Sequence, residues 1–211
     1  MITLAIDAST YEGSVAVLDG SAVLASATAA MRGRDAERLM PAVESTMRDG
    51  GVQLAAVDLI VCGAGPGSFT SLRIAGSLAK GMAMGASKPL YSVSSLSLIV
   101  AGNGAKPGRY LALLDAIRGE YFAAVFESDG VTVRADGDVV IVSKDAVPER
   151  CRRLRADPAG PEFGDMWVPH ARGVALLESE LAKGGPVNLA AWEPTYGRLA
   201  EAQVKLEATR A

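Results

Sequence analysis

The sequence of 211 residues predicts an α/β fold of two lobes, each a mixed β-sheet flanked by helices. Three observations predict it. An apolar run at 59–62 feeds the glycine-rich turn Gly63-Ala64-Gly65-Pro66-Gly67-Ser68, and a helical pattern over 72–86 leads out of it. The N-terminal segment reads as a meander of three strands. The beginning of the chain then repeats: Leu4-Ala5-Ile6-Asp7-Ala8 is echoed by Leu113-Leu114-Asp115-Ala116, Gly13 by Gly119, and Asp19-Gly20 by Asp129-Gly130. Three matches in one order point to an internal duplication.

Taken in order, residues 2–6 alternate apolar and small side chains and end at Asp7. A second strand at 14–18 closes on Asp19-Gly20, a hairpin signal, and 23–29 returns. Residues 34–49 read as a helix with Ala36, Leu39, Met40, Val43 and Met47 on one face, Pro41 expected to kink it or crowd its first turns, and Gly50-Gly51 as its stop. The helix at 72–86 is apolar or small nearly all round, so it needs cover on most sides, from its own lobe or from a partner. A strand at 90–93 and a short helix capped by Ser94 or Ser95 complete the first lobe, residues 1–102.

The turn-rich stretch 103–108 marks the boundary to the second lobe, residues 103–211. There, strands are expected at 121–126, 131–134 and 138–142, a helix at 143–155, a loop at 157–161 and a helix at 170–183.

Composition narrows the function. Hydrophobic residues make up 49% of the chain, which favours a folded globule. Net charge is −3, the wrong sign for a protein that grips nucleic acid unaided. The basic run Arg150, Arg152, Arg153, Arg155 lacks interleaved aromatics and reads as a solvated helix face. Cys62 and Cys151 form no disulfide framework, and Cys62 reads as a small core residue. The first strand begins without a basic region or cleavage site, and no apolar run reaches membrane-spanning length, so a cytoplasmic protein is expected.

The glycine turn has the strand–turn–helix arrangement that aims backbone N–H groups at an anion, and Ser68 and Thr70 suit the cap of the next helix. No Lys follows the last glycine, so it is not a Walker A loop, and Ser68 lacks the frame of a nucleophile elbow. The one histidine, His170, stands without a base–nucleophile pattern and reads as a surface or cap residue. No catalytic residue and no metal ligand set is therefore assigned.

The strings Gly65-Pro66-Gly67-Ser68-Phe69-Thr70, Leu72-Arg73-Ile74, Ala79-Lys80-Gly81 and Val93-Ser94-Ser95-Leu96 closely resemble the TsaB (YeaZ) family, and 193–202 resembles its closing segment. The resemblance departs from the family pattern at Asp35, commonly His, and at Ser71, commonly Gly. It implies two actin-like (ribonuclease H-like, ASKHA) lobes and a role in making threonylcarbamoyladenosine in tRNA.

In that role the chain is expected to be a non-catalytic partner of the TsaD transferase. The resemblance puts the seam on Leu39, Met40, Val43 and Met47 of the first helix and on Arg73, Ile74, Ser77, Leu78, Gly81 and Met82 of the second. It implies nucleotide or phosphate contact at Asp7, Ser9, Gly65, Gly67, Ser68 and Thr70. It further implies docking of the ATPase TsaE on the assembled pair, ATP or ADP with magnesium at that junction, and tRNA reached only through the complex. Two other readings stay open on the residues: a stand-alone small actin-like ATPase or kinase, and a homodimer through the same helices.

Overall fold

The computed structural model describes residues 1–31, 38–163 and 167–197. Its first sheet has the order β3-β2-β1-β4-β5, from β1 (Ile2–Asp7), β2 (Glu12–Asp19), β3 (Ala22–Ala30), β4 (Leu59–Gly63) and β5 (Leu90–Val93). The meander β1–β2–β3 is antiparallel, and β4 and β5 add in parallel through helical crossovers.

The second sheet is built on the same plan. β6 (Gly108–Asp115) and β7 (Glu120–Ser128) form its hairpin, β8 (Val133–Ala135) and β9 (Val140–Ser143) pair with β7, and β10 (Asp157–Ala159) runs parallel to β6. The duplication read from the sequence is thus a duplicated topology, with β10 beside β6 as β4 stands beside β1.

Alternation along the central strands separates two cores. Leu4, Ile6, Ile60 and Cys62 face the outer helices α1 (Leu39–Asp49) and α2 (Phe69–Ala86). Ala5, Leu59 and Val61 face inward, where α3 (Ser95–Gly102) and a 3-10 turn (Ala171–Leu176) fill the space between the sheets and meet Ala112, Leu114 and Phe122. A third cluster lies under α4 (Val147–Leu154) on the far face of the second sheet.

Several elements differ from expectation. The first helix begins at Leu39 rather than 34, which puts Pro41 in its first turn, where no amide is needed; residues 34–37, with Asp35, lie outside the described residues. The expected loop at 157–161 starts as β10, and Pro158 is tolerated because that strand is a sheet edge. The expected helix at 170–183 divides into the 3-10 turn and α5 (Glu178–Gly184). Its first part is held tight because Gly173 packs on the backbone of Gly102, where an added Cβ would stand 2.6 Å from the Gly102 nitrogen. The helix expected at 143–155 opens as a 3-10 turn, Lys144–Ala146, before α4.

The last strand of the first sheet ends at Val93 and the first of the second begins at Gly108, yet the chain after α5 returns to the first lobe. The Val187 amide donates to Leu90 O, and Leu189 and Trp192 pack on the outer core.

Candidate functional site

Asp7 ends β1 directly beside the glycine turn and is completely buried. Its Oδ1 accepts the Ser9 amide at 3.0 Å and the Ser9 hydroxyl at 2.8 Å, and its Oδ2 accepts the Ser95 hydroxyl at 2.5 Å. Ser95 Oγ in turn accepts the Gly65 amide at 3.0 Å. Burial pushes the Asp7 carboxyl above its usual range, against the pull of the Ser95 and Ser9 hydrogen bonds. Glycine at 63 makes this possible, because a Cβ there would collide with Asp7 Oδ2.

The turn itself is filled from within. The Ala64 amide donates to Val93 O, and the Ser68 amide to Ser9 O at 2.7 Å. A Cβ at Gly67 would strike the Ser9 carbonyl, and one at Gly65, whose φ is +91°, the Thr195 carbonyl. Carbonyl oxygens thus line a turn whose amides at 64, 65 and 68 are already satisfied within the chain. Ser68 is the N-cap residue of α2 by position, but its hydroxyl bonds Ser71 Oγ at 3.1 Å instead of a helix amide, and Thr70 lies exposed in the first turn. The structure therefore gathers Asp7, Ser9, Gly65, Gly67 and Ser68 into one hydrogen-bonded buttress. Among the described residues, no group of three His, Cys, Asp or Glu side chains could hold a metal ion.

The helix residues separate into two sets. Leu39 and Val43 are sealed in the core and Met82 is 8% exposed, so these three cover the first sheet and are not available to a partner. Met47, Ile74 and Leu78 are half-buried against that core. Met40, Arg73, Ser77 and Gly81 are exposed, and so is Met84, which the sequence pattern did not single out.

One flank of α2 is covered by the closing segment. Lys80 Nζ donates to Trp192 O at 2.9 Å, Pro194 and Trp192 rest on Gly76, the Thr195 amide donates to Ala64 O, and the Tyr196 ring lies 4.5 Å from Phe69. Sequence reasoning missed this strap. The segment stood out in the sequence only as part of 193–202, the stretch that resembles the family's closing segment, and it carries no helical or strand period that would place it.

His170 is a cap residue, as expected, but a buried one. Its Nδ1 accepts the Arg172 amide at 3.2 Å, and burial, with Arg172 nearby, pushes its pKa down to about 4. Cys62 is fully buried and its thiol pKa is pushed up. In the arginine run, Arg152 pairs with Glu149 at 2.5 Å, and Arg152, Arg153 and Arg155 are exposed.

Comparison with known proteins agrees with this architecture. Residues 30–154 match the family model "TsaD: tRNA N6-adenosine threonylcarbamoyltransferase". The chain is 29% identical to the Escherichia coli K12 tRNA threonylcarbamoyladenosine biosynthesis protein TsaB, over 94% of this chain and 95% of that one. It is 33% identical to the Bacillus subtilis TsaB, over 60% of this chain and 56% of that one. The solved structure of YeaZ from Pseudomonas aeruginosa superposes with a TM-score of 0.76 at 29% identity, covering 92% of this chain and 99% of that one. The two duplicated lobes, the glycine turn and these matches over nearly the whole chain place it in one group: the chain belongs to the TsaB/YeaZ family, with an actin-like fold.

Proposed function

We propose that this chain is a non-catalytic subunit that binds a TsaD-type transferase and supports threonylcarbamoylation of the adenosine beside the tRNA anticodon, in the cytoplasm. The observation that carries the reading is the open face of α2. The sheet covers one side of that helix and the strap another, while Ser77, Gly81, Met84 and Gly85 stay exposed on it, and Met40 is exposed on α1. A Cβ at Gly81 or Gly85 would meet nothing within 4 Å, so another helix can approach the backbone closely there. The glycine turn, closed from within by Ser9, Ser95 and Thr195, supports a supporting role over catalysis. Nucleotide, as ATP or ADP with magnesium, then belongs to the junction of the complex, where TsaE docks, and tRNA is reached through the complex. No helix of the described residues is long and apolar enough to cross a membrane.

Gly81→Gln tests the reading. The new side chain enters open space, and replacing a helical glycine stabilises the helix by about 0.5–1 kcal/mol. The variant is expected to melt at or above the wild-type temperature and to lose co-purification with the transferase from the same organism. Wild-type binding by a well-folded Gly81→Gln would refute a partner seated on this face.

A further inference from the structure

We infer that Arg73 is a preformed receptor for a carboxylate of the partner protein, held ready by the closing strap. The inference rests on the partner-subunit reading above and names the chemistry at one point of that face. The Arg73 guanidinium lies 4.4 Å over the Phe69 ring and 5.8 Å from the Tyr196 ring, and its Nε donates to the Tyr196 hydroxyl at 3.3 Å. The two rings and the Nε bond hold the guanidinium in place, and no hydrogen bond within the described residues engages its two terminal nitrogens. Among the described residues no carboxylate pairs with it, although the residue is exposed on α2.

An exposed arginine ordinarily spends its rotamer freedom only when it binds. Here that cost is already met by one contact from the same helix and one from the distant closing strap. Phe69 lies one helical turn before Arg73, and Tyr196 is anchored by the bond from the Thr195 amide to Ala64 O and by Pro194 on Gly76. A planar, oriented fork is the geometry that accepts a carboxylate through two parallel hydrogen bonds. Charge also identifies the occupant. The 18 residues of α2 include Arg73 and Lys80 but no Asp or Glu. A second copy docked α2 against α2 would bring like charges together, whereas a different protein carrying an Asp or Glu would complete the fork.

The test uses the full chain and the TsaD-type transferase from the same organism, with affinity measured by calorimetry across a salt series. Arg73→Met keeps apolar bulk on the rings and is expected to weaken binding by about 10–100-fold while flattening its salt dependence. Arg73→Lys, which keeps the charge without the fork, is expected to lose about 3–10-fold. Melting temperatures should stay at the wild-type value. Tight wild-type binding that Arg73→Met leaves unchanged in strength and salt slope would overturn the inference alone. An absence of wild-type binding would overturn the subunit reading and this inference with it. A fall in melting temperature without a change in affinity would place the counter-charge within this chain. Loss of self-association in light scattering, with transferase binding intact, would place it on a second copy. Either result overturns the proposal.

Discussion

The two lobes place an aspartate at the same point of the same motif and use it in opposite ways. Asp7 and Asp115 each end the first strand of a hairpin, opposite Ser14 and Tyr121. Asp7 is sealed and holds the glycine turn through Ser9 and Ser95. The Asp115 side chain is 52% exposed and pairs with Lys144 at 3.2 Å. The residues that follow make the difference. After Asp7 comes Ser9, whose hydroxyl turns back onto the carboxylate along with its amide, whereas Ile117 gives Asp115 the amide bond alone, at 3.4 Å. After Asp115 come Ile117 and Arg118 in left-handed conformations, φ 63° and 59°, with the Ile117 side chain 69% exposed. The parallel neighbour matters as well. Gly63 at the end of β4 leaves room for a carboxylate, whereas Gly160 just after β10 makes room for the Leu113 carbonyl. A duplicated scaffold thus fixes where an acid stands, and its immediate neighbours decide whether it braces the core or faces water.

The largest effects should come from breaking the buried member. Gly63→Ala drives a methyl group into Asp7 Oδ2 and is expected to cost about 3 kcal/mol in urea unfolding. A stability within 1 kcal/mol of wild type would mean that the buttress yields easily. Asp7→Ala removes the acceptor from three donors and strands the Ser9 and Ser95 hydroxyls in the core, at an expected cost of about 2–4 kcal/mol. The equivalent Asp115→Ala should cost less than about 1 kcal/mol, because its partner stays solvated.

The pH dependence of Asp7 has a definite sign. Its folded-state pKa is raised, so the folded chain holds the proton more tightly than the unfolded chain, and stability from this group falls as pH rises through that folded value. Asp7→Asn stays neutral, and its unfolding curves should lack that fall. An unchanged pH profile in the variant would count against a perturbed Asp7.

These contrasts also mark what could be read before the structure. Hairpins and the duplication were legible because strand alternation and Asp-Gly turns are local signals, whereas the parallel addition of β4 and β5 was not read. Asp7, Ser9 and the glycines are neighbours, as their places at the end of a strand and in the following turn suggest, while the groups that close around them, Ser95 and Thr195, lie far along the chain, where no local signal points to them. On α1 and α2 a helical period finds the apolar residues but cannot say which are sealed. Leu39 and Met40 are adjacent in sequence, and one is fully buried while the other is 37% exposed. Pro158 argued for a loop because the edge position that tolerates it is a tertiary fact.

Between the lobes, acid should loosen the wedge that joins them. His170 caps the 3-10 turn as a neutral acceptor, and the next amide, from Ala171, donates to Ser14 Oγ on the first sheet at 2.9 Å. Its folded pKa of about 4 lies below the ordinary value of 6.5, so its contribution is complete above pH 6.5 and is lost as pH falls toward 4. The charge that faces it is Arg172, which disfavours protonation further. The expected loss is about 2 kcal/mol, read from urea unfolding at pH 7 and pH 4.5. His170→Asn keeps a cap acceptor without a proton to gain and should remove most of that difference. An equal acid loss in the variant would shift the cause to other groups.

The smallest effect sharpens the comparison most, because it separates the two aspartates by salt rather than by size. Lys144 Nζ stands 3.2 Å from Asp115 and from both Glu162 oxygens, and 4.6 Å from the Tyr121 ring, whose hydroxyl donates to Glu162 at 2.5 Å. These hydrogen bonds hold Glu162 below its usual pKa, with Tyr121 the larger cause. The Lys144 side chain is 36% exposed, so the network is screened and Lys144→Met should cost less than about 1 kcal/mol. Raising salt to about 1 M shortens the screening length to roughly 3 Å and should erase most of that cost. The cost of Asp7→Ala comes from buried hydrogen bonds out of reach of ions and should be the same at both salt concentrations. If the two variants respond alike to salt, the distinction between a bracing and a surface aspartate does not hold, and the lobes are more alike than their burial indicates.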